Sequence, residues 1–107
     1  MDQGTYVARV LHLYRKFPGT LNRVLRDDRR TALNLHRRNV PIEIVQNAFI
    51  LVAARRAKAP TDLPDEPIRV LRYILPVIEE LLIAPPPSGF LQYLESGLRD
   101  KSLFTLD

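Results

Sequence analysis

The sequence predicts an all-α fold, a compact bundle of about five helices around a buried central helix over 42–58. Three observations carry this expectation. Apolar residues recur at three- and four-residue spacing along nearly the whole chain, no stretch alternates strictly enough to read as a strand, and the segment 42–58 is apolar in almost every direction. With 107 residues, 46% of them apolar and 26% charged, the chain suits a single helical domain and lies well away from disordered compositions.

The first helix is expected over 5–17, with Tyr6, Val10, Leu13, Tyr14 and Phe17 on one face and Pro18-Gly19 as its stop. A short turn bearing Leu21, Val24 and Leu25 leads to Asp27 or Asp28. Either can cap a second helix ending near Asn39, a residue type that tolerates left-handed backbone. Pro41 suits the first turn of the third helix. That helix carries Ile44, Val45, Ala48, Phe49, Ile50, Leu51 and Val52 around most of its circumference, with Glu43, Gln46 and Asn47 as its polar strip, which marks it as the central core element.

APTDLPDEP, 59–67, holds three prolines and three acids and is expected as the linker between a basic half, 1–58, and an acidic half, 68–107. Asp65 can cap and Pro67 can open a helix through IRVLRYILPVIEELLI. Its apolar face gathers Ile68, Leu71, Leu75, Ile78 and Leu82, and its other side carries Arg69, Arg72, Glu79 and Glu80. Pro76 falls in the middle of that polar side, where a bend faces water, with a hinge as its functional alternative. APPPSG, 84–89, stops this helix; Ser88 caps a last one bearing Phe90, Leu91, Leu94 and Leu98, and the final six residues are expected to fray.

Catalytic chemistry finds little to work with. The chain has no cysteine, which removes disulfides, thiolate nucleophiles and sulfur-ligated zinc together. His12 and His36 sit on separate helices without a ligand or acid partner at three- or four-residue spacing, Glu79 and Glu80 diverge around their helix as solvation of a polar face, and the four glycines form no phosphate-cradling run. The expectation is a non-enzyme without cofactor or metal. The longest apolar run, AFILVAA, is seven residues against the roughly 20 that span a bilayer, and MDQGTYVARV lacks the pattern of a secretory signal, so no membrane contact and a cytoplasmic location are expected.

Charge is where the sequence is informative. Residues 1–58 carry twelve Lys+Arg against four Asp+Glu, a net +8, whereas 59–107 carry four against eight, a net −4. Thirteen of the sixteen basic residues are arginine, whose planar fork suits phosphate and carboxylate. On a wheel of the second helix, Ala32 and Leu35 face the core with His36 beside them, Leu33 stands at a shoulder and Arg29 lies near the boundary. Arg30, Asn34 and Arg37 point outward, Arg38 flanks them, and Arg26 joins if the helix starts early. No acid interrupts this stripe, and Arg23, Arg15 and Lys16 could extend it into a patch. A solvated face usually mixes signs at four-residue spacing, so a stripe of one sign points to an anionic partner such as phosphate. Arg55, Arg56 and Lys58 also suit the dipole at a helix end, whatever the function. A helix-turn-helix fits poorly, because the third helix is buried and HRRNVP holds no glycine. The aromatics look mainly like core, with Tyr73 as a possible exposed stacker.

The order YRKFPGT, DDRRTALNLHRRNVPIEIVQNAFILVAARR and PIRVLRYILPVIEELL resembles small helical modules of replication-initiation and accessory proteins of bacterial mobile elements. Its middle segment is similar in texture to the DNA-binding module of the DnaD type, although the aromatic C-terminal signature of that type is absent. The resemblance implies nucleic-acid binding and carries over no individual residue.

Two expectations follow. The first is a nucleic-acid-binding accessory protein, of DNA or RNA, gripping the backbone through Arg15, Lys16, Arg23, Arg26, Arg30, Asn34, Arg37 and Arg38, in a mobile element or a larger ribonucleoprotein assembly. The second is a protein-interaction subunit whose basic half docks the acidic half of a neighbour.

Overall fold

A computed structural model describes residues 1–58 and 67–106. Among these residues there are five α-helices, α1 (Gln3–Lys16), α2 (Arg26–Arg37), α3 (Ile42–Ala57), α4 (Leu75–Ile83) and α5 (Phe90–Asp100), with a 3-10 turn, Leu71–Ile74, leading into α4. The all-α bundle expected from periodicity is what forms, with a radius of gyration of 13.5 Å. The linker proposed at 59–67 and the Asp65 cap lie outside the described residues apart from Pro67, which is in no helix.

Helix α3 is the core element. Val45, Ala48, Phe49, Ile50, Leu51, Val52, Ala53 and Ala54 are buried, because α1, α4, α5 and the 3-10 turn pack around it. Helix α2 departs from the expected ring around α3: it packs on α1 and the 3-10 turn, which leaves it on the outside of the bundle.

The helix ends explain the path of the chain. Asp2 starts α1 earlier than expected, its Oδ2 accepting from the Gly4 and Thr5 amides at 3.1 and 3.4 Å. Asn39 ends α2 as its residue type suggests, at φ 58°, with the Val40 amide on the Leu35 carbonyl (3.1 Å) and the Asn39 amide on the His36 carbonyl (3.0 Å). The Tyr6 hydroxyl donates to the Val40 carbonyl at 2.8 Å and locks this corner to α1.

Burial pushes the Tyr6 and Tyr14 phenols up; at Tyr14 the Asp28 carboxylate adds to the rise and Arg23 opposes it. The stability tied to these phenols is therefore complete below the ordinary tyrosine value of 10.0 and is lost as pH climbs through the raised folded values. Tyrosinate absorbance and helical circular dichroism, recorded on one alkaline titration, are expected to change together at its upper end. Completed phenol ionisation in an intact helical protein would contradict this.

Four expectations need correction. The helix proposed from Pro67 begins later, because residues 67–70 are not helical, Val70 is extended and the Ile68 amide donates to the Gly19 carbonyl at 2.8 Å beside an isolated parallel bridge to Thr20. Pro76 consequently occupies the second position of α4 rather than a mid-helix bend, where its missing amide has no intrahelical acceptor to lose, and no hinge is needed. The N-cap of α5 is Gly89, at φ 85°, rather than Ser88. The fourth correction concerns the tail, which folds back instead of fraying. Ser102, at φ 56°, turns the chain with the Leu103 amide on the Leu98 carbonyl at 2.9 Å. Phe104 then packs its ring 5.3 Å from that of Phe17, and Arg9 donates to the Leu106 carbonyl at 2.8 Å.

Candidate nucleic-acid interface

Helix α2 buries Asp28, Thr31, Ala32 and Leu35. At about 100° per residue, Arg26, Arg30 and Arg37 fall within about 40° of one another and point diametrically away from that buried side, with Asn34 adjoining. All four are exposed. Arg26 belongs to this ridge because the helix does start early, at Arg26, ahead of both expected caps. The ridge spans about 16 Å of helix axis.

Its two flanks are tied down. On one side His36 is half-buried with its ring edge-on to Tyr6, 5.1 Å between centroids, which faces that flank to α1. On the other side Arg38, the C-cap of α2, pairs with Glu79 of α4. The stripe is therefore less uniform than the sequence suggests. Arg38 is matched by an acid from the other half of the chain, and Asp27 approaches Arg30 at 3.7 Å. Both pairs are solvent-exposed and worth little. Glu79 and Glu80 do more than solvate a face, since Glu80 receives both guanidinium nitrogens of Arg55. That contact lowers the Glu80 carboxyl below its ordinary range and raises the Arg55 guanidinium.

Asp28 is the largest departure at this site. Expected as one of two interchangeable caps, it is 1% exposed and accepts two amides, the partly buried Leu25 at 2.9 Å within its own helix start and the buried Leu71 at 2.8 Å across the bundle. One carboxylate thus closes the first turn of α2 and holds the 3-10 turn against it.

The remaining predicted residues divide. Arg23 is exposed in the loop before α2, near enough for its charge to act on Tyr14 alongside Asp28. Arg15 is exposed near the end of α1. Lys16 is half-buried and lines a cavity of about 380 Å³ together with Arg99 of α5 and Ser102, Leu103, Phe104 and Thr105 of the returning tail. Arg69 and Arg72, assigned by sequence to the acidic half, are brought to the start of α2 by the Leu71–Asp28 bond and are both exposed. No periodicity could have disclosed that, because the contact joins residues 43 apart.

Among the described residues no group of three or more histidine, cysteine or acidic side chains is placed to hold a metal ion, and no helix is long and apolar enough to cross a membrane. Comparison with known proteins assigns no family: no family model matches the chain, and neither a curated protein nor a solved structure matches it.

Proposed function

We propose that this protein binds nucleic acid through the phosphate backbone, using the outer ridge of α2. The observation that carries the proposal is the alignment of Arg26, Arg30 and Arg37 on the side of α2 opposite its buried face. Like charges at such spacing cost a helix a few tenths of a kcal/mol each, and an anionic partner turns that cost into binding. A row about 16 Å long matches roughly five base-pair steps of duplex backbone. Contacts of this kind position a protein without reading bases, and α3, which would have to enter a groove in a helix-turn-helix, is buried. The texture shared with replication accessory modules points the same way.

Fluorescence anisotropy of labelled duplex and single-stranded oligonucleotides at two salt concentrations tests the proposal. Three phosphate contacts give a slope of log affinity against log salt of about −3 on duplex. The double substitution Arg30→Glu with Arg37→Glu is expected to weaken binding at low salt by at least roughly tenfold and to flatten that slope by about two. No binding at low salt, or an unchanged isotherm in the double variant, would sink it.

The rival, docking of the basic half onto a neighbour's acidic half, has less support. Glu79 and Glu80 already meet Arg38 and Arg55 within one chain, and Glu95 meets Arg99 at 2.6 Å. Light scattering separates the two readings: the proposal expects no salt-sensitive self-association.

A further inference from the structure

We propose that the interface continues from the α2 ridge onto the 3-10 turn, where Tyr73 stacks a base, so that the preferred ligand is single-stranded nucleic acid. This rests on the reading of α2 as a phosphate-binding ridge. The Leu71 amide donates to Asp28 at 2.8 Å, which seats the turn against the first turn of α2 on the side opposite the ridge, so a flexible strand reaches it by passing round the helix start. Leu71 and Ile74 point into the core, so the two residues between them, Arg72 and Tyr73, are turned to solvent.

Tyr73 is a large aromatic side chain left 47% exposed, although the bundle has core space for Tyr6, Tyr14, Phe17, Phe49 and Phe104. It is not loose. The Arg56 guanidinium lies over its ring, 5.9 Å from the centroid, and donates to its hydroxyl at 3.4 Å. Arg56 in turn runs past Gly19, where a Cβ would lie 3.0 Å from Nη2, so the backbone at φ 92° and the absent side chain together leave room for the guanidinium. An aromatic ring held by a cation, with Arg72 beside it in sequence and Arg69 three residues before that, is the combination that sequence-tolerant single-strand binders use: cations follow the backbone and a ring takes an unstacked base. A duplex offers phosphates to the same arginines but keeps its bases stacked on each other, out of reach of the tyrosine.

The second well-exposed tyrosine, Tyr93, supplies the control. It is 73% exposed, and it adjoins Ala54 and Lys58, on the side of α3 away from Arg56.

Anisotropy titrations use labelled oligothymidylate and oligouridylate of about a dozen nucleotides, and a duplex of the same length, at one low salt concentration. Helical circular dichroism checks each variant. The single strands are expected to bind more tightly than the duplex. Tyr73→Ala should weaken single-strand binding on the order of tenfold and leave duplex binding unchanged, Tyr73→Phe should retain it, and Tyr93→Ala should have no effect. Arg69→Gln with Arg72→Gln should flatten the single-strand salt slope by about 1.4. Equal affinity for the duplex, a silent Tyr73→Ala, or a Tyr73→Phe as weak as the alanine variant overturns the inference while duplex binding through α2 stands. Absence of binding to every probe overturns both. A preference between the thymidylate and uridylate strands assigns DNA or RNA as the source of the single strand.

Discussion

Replacing Phe104 with alanine is expected to destabilise the protein by about 3 to 5 kcal/mol, the range for truncating a fully packed aromatic. In a chain of this size that lowers the melting midpoint by roughly 15 to 25 °C. The ring is 5% exposed, 5.3 Å from Phe17, which is itself 5.5 Å from Phe49 in the centre of α3. Phe104 is therefore the outer member of a row of three rings that joins the tail to α1 and the core. Its removal leaves a cavity that the short return segment cannot fill without breaking the Ser102 turn. The neighbouring Leu103, largely exposed, should cost less than about 1 kcal/mol on the same substitution. Thermal unfolding of the two variants side by side checks this. Equal, small effects would mean that the tail contributes no packing.

The second large effect is expected at Asp28. Alanine there removes one carboxylate and leaves the Leu25 and Leu71 amides without their acceptor. At about 1 to 3 kcal/mol for each group left unsatisfied, the loss is about 2 to 4 kcal/mol, because the partly buried Leu25 amide regains water while the Leu71 amide does not, and it is visible as a fall in denaturation midpoint. Asparagine keeps one acceptor oxygen and is expected to recover about half of it. Asp27→Ala, one residue earlier, removes an exposed side chain with a 3.7 Å contact to Arg30 and should change stability by less than about 1 kcal/mol. Chemical denaturation of the three variants decides between a buried clamp at Asp28 and a pair of equivalent caps. Similar small losses at both positions would refute the clamp.

These two residues also show where local reading stops. Asp27 and Asp28 are adjacent, identical in type and equally good at a helix start. The helix start distinguishes them by turning Asp28 to the buried side and the Leu25 amide, and the 3-10 turn adds the Leu71 amide to Asp28 while Asp27 stays exposed. The tail is similar. Its residues carry no helical pattern, so a local criterion assigns them to solvent, yet a left-handed Ser102 reverses the chain and delivers Phe104 to an apolar gap between α1 and α3. The helix proposed from Pro67 went too far for a related reason: its apolar spacing is genuine, but the Ile68 and Leu71 amides are claimed by Gly19 and Asp28 before a helix can use them.

The helical class, the place of α3 as the core and the outward direction of Arg30 and Arg37 were legible in the residues, whereas Arg26 joined them only through the early start of α2. Those properties follow from a period that each helix carries within its own residues, and burial of the apolar side orients everything else. The tertiary structure alone decided which charges remain available and which meet partners, because that depends on distant elements. It brought Glu79 to Arg38, set Lys16 and the tail around one cavity and placed Arg69, Arg72 and Tyr73 beside the start of α2. Packing is a relation between faces, and a single helix specifies its own face but not the one that it meets.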